Sequence, residues 1–444
     1  MKHYIAIDWG ATSGRVIVAH HEGKDIQMDE IHRFPNAIEQ HEDQHYYWNF
    51  SELIRQTLIG LQKAAQLGLH YESIGVDTWG VDVCFLDKNG QLISQPLAYR
   101  DPFTTDVPEQ FFQHIPAEQL YEKCGIQVMN FNTVFQLYAC RLQQFPPFVN
   151  AKHILFMPDM INYVLTGRMA CEYTILSTSA MMNPRTKQID EDILRLCGLQ
   201  RTQFAPLVMP GTDLGTILPS IAEQTGLHPD TRVIAVAGHD TGSAVAACPR
   251  IIDGQRTAFL SSGTWSLMGV VTDQPVITPQ SAALNFTNEG GVQSTTRLLK
   301  NITGLWILEQ CRKEWKEQSK DYSYPQLVQM AQQTNGNPDY LFNPDEPRFA
   351  NPASMITEVQ GAYTMKDNEI VWTIFHSLAK RYGEVFQMLQ SLSPWKIEAL
   401  YVIGGGVNNK YLLDLTEKAV GVPVIPGTVE ATTLGNIIMQ KSAI

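Results

Sequence analysis

Residues Val233–Ala246, VIAVAGHDTGSAVA, decide the fold prediction for this chain. The stretch opens with a short apolar, β-branched run that is typical of a buried strand. Gly238-His239-Asp240-Thr241 interrupt the run, and the small residues after them favour the start of a closely packed helix. Open α/β folds bind ligands where a buried strand ends ahead of a helix, so Asp240 is a candidate site residue. The alternative is that Asp240 only caps the helix.

The start of the chain predicts a β-hairpin with a turn of small residues. Tyr4–Ile7 and Arg15–Ala19 have the pattern of strands, and Asp8–Gly14, DWGATSG, connects them. Such a turn presents backbone N–H groups that suit phosphate oxygens, and Asp8 could hold a hydrated Mg²⁺ beside them. A plain hairpin turn is the alternative interpretation.

The same layout returns in the second half of the chain. Residues 257–271, TAFLSSGTWSLMGVV, again predict strand, small turn and strand. Ala399–Ile403 then leads into Gly404-Gly405-Gly406, as the first-half strand pattern SIGVD leads into its own turn. Two halves that each open with a hairpin indicate an internal duplication. We place the boundary near Ala247–Gln255 and expect a cleft between the halves to hold the ligands.

The segment DTWGVD at residues 77–82 follows the strand pattern of SIGVD. Gly80 would let a ligand approach the backbone closely, and Asp82 and Trp79 would then hydrogen-bond and cover a polyol. The alternative is a turn between two strands, with Trp79 in the core.

One short motif has the letters of a zinc site but not the context. His41-Glu42-x-x-His45 matches the zinc-protease pattern, which needs both histidines on one face of a helix. No apolar helical period surrounds the motif, so we predict a solvated loop there. Helical periodicity does appear elsewhere, over residues 50–66, 134–144, 158–166, 298–315, 371–392, 411–420 and 430–439.

Composition excludes several classes of protein. The 444 residues favour two domains, and the formal net charge of −12 argues against a nucleic-acid partner. Seven scattered cysteines without a CxxC pair predict neither a disulfide framework nor structural zinc, and they fit a reducing cytoplasm. Asp8 comes too early for a signal peptide, and no apolar run is long enough to span a membrane.

Two glycine- and hydroxyl-rich turns, with an Asp at a third strand end, match the needs of phosphoryl transfer. That chemistry uses N–H groups around phosphates, a Mg²⁺ ion and a carboxylate aimed at the attacking hydroxyl. The chain has no G-x-x-x-x-G-K-[ST] and no G-x-G-x-x-G, so neither a P-loop nor a dinucleotide site is predicted.

In this order and spacing, the motifs resemble those of the FGGY family of carbohydrate kinases over nearly the whole chain. The motifs that carry the resemblance are AIDWGATSGRVI, SIGVDTWGVDVCFLD, LAYRD, GHDTGSAV, FLSSGTWSLMG, NEGG, LLKNITGLW, YVIGGGVNN and VEATTLGN. The resemblance implies an α/β fold with two actin-like (ribonuclease-H-like) domains, internally duplicated around a cleft. It implies a sugar-binding domain over residues 1–247, a nucleotide-binding domain over 248–444, and ATP and Mg²⁺ as cosubstrates.

The resemblance also assigns roles to residues. Asp240 would be the general base and would contact the sugar. Further sugar contacts are implied for Gly80, His239, Thr241 and Asn301. Contacts with ATP are implied for Ala11, Thr12, Ser13, Gly14, Arg15, Thr264, Glu309 and Gly405. Asp8 would be the metal residue, acting through water.

The chain departs from the family pattern in two places. Glu309 stands where similar sequences tend to have Gln, and a carboxylate there would repel phosphate. The chain stops at Ile444 while related kinases usually continue, so we expect the second domain to lack a covering helix.

Within the family, the resemblance carried by DTWGVD and SSGTWSLMG implies the 1-hydroxyl of L-rhamnulose as the phosphoryl acceptor. Another deoxyketose or ketose, such as L-fuculose or L-ribulose, is the alternative. A non-catalytic, sugar-binding regulator of actin-like fold is an alternative of another class, but no basic DNA-binding segment is present. Asp240-Thr241-Gly242 also matches aspartic proteases, which need a second such Asp in an all-β fold. The oligomeric state stays open between monomer and dimer.

Overall fold

The structure, a computed structural model, describes residues 1–23, 25–350 and 352–444. The chain divides into two compact units. Unit 1 comprises Met1–Ala247, Thr272–Leu298 and Thr432–Ile444, and unit 2 comprises Cys248–Val271 and Leu299–Ala431.

The strands and helices follow one another in a mixed α/β order. The strands are β1 (Lys2–Trp9), β2 (Ser13–Glu22), β3 (Asp25–Pro35), β4 (Ile38–Gln40), β5 (Tyr46–Trp48), β6 (Ser73–Thr78), β7 (Val83–Leu86), β8 (His153–Phe156), β9 (Cys171–Glu172), β10 (Met182–Asn183), β11 (Gln188–Ile189), β12 (Leu207–Val208), β13 (Thr212–Thr216), β14 (Arg232–Ala235), β15 (Thr257–Ser262), β16 (Trp265–Thr272), β17 (Thr287–Gly290), β18 (Thr296–Thr303), β19 (Ala399–Ile403) and β20 (Val424–Pro426). The α-helices are α1 (Phe50–Gln66), α2 (Val107–Phe112), α3 (Ala117–Cys124), α4 (Thr133–Leu142), α5 (Pro146–Asn150), α6 (Met157–Thr166), α7 (Tyr173–Ser177), α8 (Glu191–Cys197), α9 (Pro219–Thr225), α10 (Asp240–Ala246), α11 (Pro249–Asp253), α12 (Pro279–Ala283), α13 (Trp306–Glu317), α14 (Tyr324–Gln332), α15 (Met355–Gln360), α16 (Asp367–Leu392), α17 (Lys410–Val420) and α18 (Ala431–Ala443).

The main sheet of unit 1 has the strand order β13-β14-β6-β1-β2-β3. Strands β1 and β2 form the predicted hairpin, in which Trp9 lies opposite Gly14. Strand β1 pairs in parallel with β6, and β6 pairs in parallel with β14. The carboxyl ends of these three parallel strands therefore lie at the same edge of the sheet.

Unit 2 repeats this topology. The order β18-β16-β15-β19-β20 corresponds to β3-β2-β1-β6-β14, with an antiparallel hairpin of β15 and β16. Strand β19 is parallel to β15 and β20 is parallel to β19, as in unit 1. In each repeat the last strand is followed by a helix, α10 in one case and α18 in the other. The predicted internal duplication is confirmed.

Most of the predicted helices are also confirmed, because their apolar positions follow the helical period. Helix α1 turns Leu53, Leu61 and Ala64 inward, and the Asn49 side chain caps its first turn. A Cβ at Gly60 would lie 2.4 Å from Val16, so this glycine lets α1 pack directly on β2.

The predicted helix over residues 298–315 is wrong in its first part. Residues up to Thr303 form strand β18, and helix α13 begins only at Trp306. Leu298 and Ile302 are buried on one face of the strand and Leu299 is buried on the other, so its sequence shows no alternation that could distinguish it from a helix.

Two segments of the predicted second domain group with unit 1 instead. Within residues 272–298, Asn288 donates its backbone and side-chain N–H groups to the Gly125 carbonyl, at 2.8 and 3.1 Å. Within residues 432–444, Gln440 donates to the Ile5 carbonyl at 2.9 Å. Buried amide side chains need such partners, and these partners lie on strands and loops of unit 1.

The segment that contains the zinc-protease letters is a short turn. His41–His45 is a turn between β4 and β5, as predicted, and not a helix.

Among the residues that the structure describes, no helix is both long enough and apolar enough to cross a bilayer.

Helix α18 touches α10 at a position where only glycine fits. A Cβ on Gly435 would lie 1.7 Å from the Ser243 carbonyl oxygen. We expect Gly435→Ala to lower the free energy of unfolding by about 3 kcal/mol, although alanine favours helices more than glycine does. Urea unfolding followed by circular dichroism measures the change. Ser442→Ala, an exposed change in the same helix, should leave the midpoint nearly unchanged; equal midpoints for the two variants would contradict this close contact.

Candidate active site

The ends of three parallel strands of unit 1 are tied together by backbone hydrogen bonds. The Thr78 N–H donates to the Gly238 carbonyl at 2.9 Å, and the Trp79 N–H donates to the Trp9 carbonyl at 3.3 Å. The segments after β1, β6 and β14 therefore form one polar edge. Such an edge is where open α/β sheets bind ligands.

Three carboxylates lie at this edge. Asp8 and Asp77 are register partners on β1 and β6, so their side chains share a face of the sheet. Burial raises the pKa of Asp77 well above its usual value, and the nearby charges of Asp8 and Asp240 raise it further. The three groups thus form one electrostatically coupled cluster.

Asp77 is the least accessible of the three. It is completely buried, and its Oδ2 accepts a hydrogen bond from Asn436 at 2.6 Å. Among the described residues, its Oδ1 has no hydrogen-bond partner. A buried oxygen of this kind beside a second carboxylate suits a cation or a proton.

The first predicted phosphate turn leaves its small residues accessible. The Gly10 N–H donates to the Ser13 carbonyl at 2.9 Å and closes the turn, in which Ala11 and Ser13 are half-buried and Thr12 is exposed. Gly14 is buried here, and a Cβ on it would lie 2.3 Å from the Phe34 ring. Packing against Phe34 therefore explains this glycine.

The predicted phosphate contact Arg15 pairs with Asp8 in this structure. The guanidinium forms an ion pair with the Asp8 carboxylate across the hairpin and lies 3.8 Å from Glu30. Arg15 thereby neutralises one charge of the carboxylate cluster.

Asp240 is the most accessible of the three carboxylates. Its side chain is 33% exposed, against 10% for Asp8. It is the first residue of α10 and His239 occupies the cap position, so the helix-cap interpretation is wrong. The Thr241 N–H and hydroxyl donate to Oδ1 at 2.5 and 3.1 Å. Both of these hydrogen bonds end on Oδ1, and neither involves Oδ2.

Glu172 holds the segment before Asp240, a role that the sequence did not suggest. Its Oε2 accepts from the Gly238 N–H at 3.0 Å and from the Thr174 hydroxyl at 2.6 Å. Thr174 in turn accepts from the His239 N–H at 3.3 Å. Burial raises the pKa of Glu172, and the hydrogen bonds that it accepts partly offset that rise.

Gly80 and His239, two of the predicted sugar contacts, are neighbours. A Cβ on Gly80 would lie 3.3 Å from the His239 Nε2 and 3.4 Å from Thr178. A side chain at position 80 would therefore press on the imidazole. The next residue, Val81, has a φ of 71°, so the turn there is tight.

The interpretation of Asp82 as a polyol ligand is wrong. Its Oδ2 accepts from the Trp48 and Trp79 indoles at 2.6 and 2.9 Å, and its Oδ1 accepts from Gln136 at 3.0 Å. Burial raises its pKa to about 6 despite these bonds. Residues 79–82 are the turn between β6 and β7, and Asp82 organises that turn and its aromatic neighbours.

In unit 2, the second predicted phosphate turn meets the start of α13. The Trp306 N–H donates to the Thr264 carbonyl at 3.0 Å, and Thr264 itself is exposed. Glu309 lies one helical turn further on and pairs with Arg312 at 3.3 Å. Asn301 is half-buried on β18 of the same unit.

The triple glycine of unit 2 has one open member. A Cβ on Gly406 would lie 2.1 Å from the Ser262 hydroxyl, and Gly404 has a φ of 85° that favours glycine. Gly405 is exposed and would meet nothing within 4 Å. Gly405 is therefore the member of the triple glycine whose surface is open to a flat ligand.

In the described part of the chain, no set of metal-ligand atoms converges at the His41-Glu42-x-x-His45 motif, for which the sequence predicted a solvated loop. Among the described residues, the ligand atoms close enough to share an ion belong to His70, His228 and Asp230, which are exposed. They lie in the loops before β6 and β14, at the opposite edge of the sheet from Asp240.

Comparison with known proteins defines the class. Residues 3–247 match the N-terminal domain of the FGGY family of carbohydrate kinases, and residues 258–444 match its C-terminal domain. The chain belongs to this family. It is therefore a sugar kinase, an enzyme that uses ATP as cosubstrate, and not a non-catalytic regulator or an aspartic protease.

Two curated relatives are similar over the whole chain. A rhamnulokinase of Bacteroides thetaiotaomicron is 46% identical, and the match covers 100% of this chain and 91% of the relative. A rhamnulokinase of Enterococcus faecalis is 38% identical, with 100% and 89% covered.

Solved structures show the same fold at low identity. A ligand-bound xylulose kinase from Lactobacillus acidophilus has a TM-score of 0.83 at 15% identity, over 100% of this chain and 89% of that one. Glycerol kinase from Plasmodium falciparum with ADP has a TM-score of 0.81 at 14% identity, over 100% and 90%. The predicted two-domain α/β, actin-like fold is confirmed.

The role found for Asp82 can be tested by stability. In Asp82→Asn, an amide N–H group replaces one acceptor and faces indole or amide donors, so we expect a loss of about 2–4 kcal/mol at pH 7. Urea unfolding monitored by tryptophan fluorescence measures the loss. Asp106→Asn, an exposed aspartate without a cap bond, is the control. A stable Asp82→Asn enzyme with a specific defect in sugar binding would revive the polyol interpretation.

Proposed function

We propose that this enzyme transfers the γ-phosphoryl group of ATP to the 1-hydroxyl of L-rhamnulose and that Asp240 is the general base. The two relatives that are 46% and 38% identical over the whole of this chain are rhamnulokinases, which supports the substrate. The observation that carries the base assignment is the accessibility of Asp240, the one carboxylate of the cluster with a third of its side chain exposed. L-Fuculose and L-ribulose are the alternative acceptors.

In the proposed reaction, the sugar hydroxyl gives its proton to Asp240 as its oxygen bonds to the γ-phosphorus. The bond from that phosphorus to the β–γ bridging oxygen breaks, and ADP leaves. Because Thr241 already donates two hydrogen bonds to Oδ1, Oδ2 is the atom that accepts the proton. Proton removal of this kind contributes roughly 10²–10⁴-fold to a rate.

His239, Thr241 and Gly80 are proposed to hold the sugar beside Asp240. His239 presents Nε2 at 3.5 Å from the Asp240 Oδ1, and Gly80 keeps the space next to Nε2 free of a side chain. Asn301 of unit 2 is proposed as a further sugar contact. When the bound sugar holds its hydroxyl near the base, the two groups lose little further entropy as they react, so the activation barrier is lower.

Nucleotide binding is proposed for two sets of small residues. Ala11, Thr12, Ser13, Gly14 and Arg15 would contact phosphates in unit 1, and Thr264, Glu309 and Gly405 would contact ATP in unit 2. The accessible N–H groups of the first turn and the open face of Gly405 support these assignments. Arg312 pairs with Glu309 at 3.3 Å, and its positive charge offsets part of the repulsion expected of a carboxylate near a nucleotide.

The carboxylate cluster suits Mg²⁺. Asp8 would hold the ion through water, and Oδ1 of Asp77, which has no hydrogen-bond partner in the described part of the chain, offers a second oxygen at the same edge. When bound, the ion would neutralise charge on the transferred phosphoryl group. In this structure the guanidinium of Arg15 supplies positive charge next to Asp8.

We further propose residues 1–247 as the sugar-binding domain and 248–444 as the nucleotide-binding domain. The seven cysteines are free and buried, which supports the expected reducing cytoplasm. Monomer and dimer stay equally open.

The substrate is tested by ADP release with Mg-ATP against a panel of ketoses. We expect L-rhamnulose to give a kcat/KM about tenfold or more above L-fuculose and L-ribulose, because one misplaced hydroxyl leaves buried polar groups unpaired. Removal of divalent cations with EDTA should abolish the signal. If another ketose is the best substrate, the kinase mechanism stands and the assigned sugar is wrong.

The base is tested with Asp240→Asn, which keeps the shape of the side chain and removes its basicity. We expect kcat to fall by roughly 10²–10⁴-fold while the Kd for L-rhamnulose, measured by calorimetry, changes little. Asp106→Asn is the matched control and should retain full turnover. Near-normal turnover in Asp240→Asn would refute the assignment.

A further inference from the structure

His239 is flanked by two buried ionised residues that the sequence did not single out. Glu289 lies on β17 in the NEGG motif, and Arg297 lies on β18 a few residues later. Their side chains are 9% and 1% exposed, and the side chain of His239 is 11% exposed. Charges this deeply buried need partners, so their arrangement around the imidazole restricts its chemistry.

The hydrogen-bond geometry identifies the proton donor of this cluster. The Arg297 Nη2 lies 3.2 Å from the His239 Nδ1, with an N–H group directed at it. The Glu289 Oε2 lies 3.1 Å from the same Nη2 and 3.2 Å from the His239 Nδ1. Neither of these contacts has hydrogen-bond geometry, and among the described residues that oxygen accepts no hydrogen bond, so only the contact between Arg297 and Nδ1 is a hydrogen bond. Arg297 therefore donates to the imidazole and serves Glu289 as a counter-charge.

A guanidinium has only donors and keeps its proton, so the atom that it faces must present a lone pair. Nδ1 is then unprotonated, and the imidazole proton resides on Nε2.

Other contacts keep the two ionised residues in place. The Arg297 Nε donates to the Gly290 carbonyl at 2.8 Å, and the Ser177 hydroxyl accepts from the Gly290 N–H at 2.7 Å. Although burial alone raises it, the pKa of Glu289 lies below its usual value because Arg297 and His239 are adjacent. Glu289 thus remains a carboxylate next to Arg297.

We propose that Arg297, with Glu289 as its counter-ion, is a positioning residue that holds His239 as the neutral Nε2–H tautomer. His239 is then a hydrogen-bond donor towards the substrate, so the sugar must present an acceptor oxygen to Nε2. The proposal rests on the proposed function for three points: the identity of the sugar, the contact between His239 and the sugar, and Asp240 as the base.

The same tautomer also orients the base. The His239 Nε2 lies 3.5 Å from the Asp240 Oδ1, without hydrogen-bond geometry, so a proton on Nε2 attracts this oxygen electrostatically on the side where Thr241 donates twice. Donors on Oδ1 leave Oδ2 as the oxygen with free lone pairs. A His239 protonated at Nδ1 would instead turn a lone pair towards the carboxylate and repel it.

The tautomer can be measured without any assumption about the substrate. Long-range ¹H–¹⁵N spectra of the ¹⁵N-histidine-labelled enzyme distinguish protonated from unprotonated ring nitrogens, and His239→Gln assigns the signal among the 12 histidines. We expect the neutral Nε2–H pattern in the wild-type enzyme. An Nδ1–H or imidazolium pattern would overturn the proposal.

Substitution of Arg297 tests the cause. In Arg297→Met the donor is lost and Glu289 is the nearest group to Nδ1, so we expect the signal to shift to the Nδ1–H or imidazolium pattern. In Arg297→Lys the ammonium can still donate, and the wild-type pattern should return. An unchanged tautomer in folded Arg297→Met would overturn the assignment to Arg297. If that variant does not fold, Glu289→Gln, which keeps the donor, must still show Nε2–H.

Kinetics separate this proposal from the proposed function. We expect Arg297→Met to lower kcat/KM for L-rhamnulose roughly 10- to 100-fold, mainly through KM, with the KM for ATP within about twofold. Arg195→Met, an exposed arginine paired with Asp192, is the matched control. A tautomer shift without any change in sugar kinetics would overturn the donor role of His239. If the tautomer behaves as expected and no ketose is turned over, the proposed function alone fails.

Discussion

Parallel pairing of β1, β6 and β14 is the constraint on which the candidate site depends. Strands that run in the same direction end at the same edge, so Asp8, Asp77 and Asp240 meet although they are far apart in the chain. Bringing carboxylates together in a buried place is unfavourable. The surrounding structure offsets this cost with Arg15 at Asp8, with Asn436 at Asp77, and with solvent exposure at Asp240.

Buried acidic groups elsewhere in unit 1 serve as internal acceptors. Asp82 accepts hydrogen bonds from two indole N–H groups and an amide, and Glu172 accepts one from the Gly238 N–H in the segment that leads to Asp240. A buried donor without a partner lowers the stability of the fold by more than a formed hydrogen bond raises it. Other conformations of these loops would leave such donors without their carboxylate acceptor, so each carboxylate favours one loop conformation strongly. Accurate placement of Asp240 and His239 is therefore a consequence of polar groups that do not touch the substrate.

Local patterns carried much of the prediction. The hairpin of β1 and β2, its repeat in β15 and β16, and the helices α1, α16 and α17 are as the sequence indicated, because strand alternation, turn residues and helical periods act over short distances. The first part of the predicted helix over residues 298–315 failed for the same reason. A strand buried on both faces has no alternation, so β18 could not be distinguished from a helix.

The sequence by itself determined the fold class, the duplication and Asp240 as the candidate base, because each depends on residues that are close in the chain. Only the tertiary structure decided which groups surround that base. Asp77 and Asn436, like His239 and Arg297, are paired by contacts between distant segments, and no local pattern records such pairs. Burial and hydrogen-bond partners decide whether an aspartate such as Asp82 supports the fold or faces a ligand, and both are properties of the packed chain.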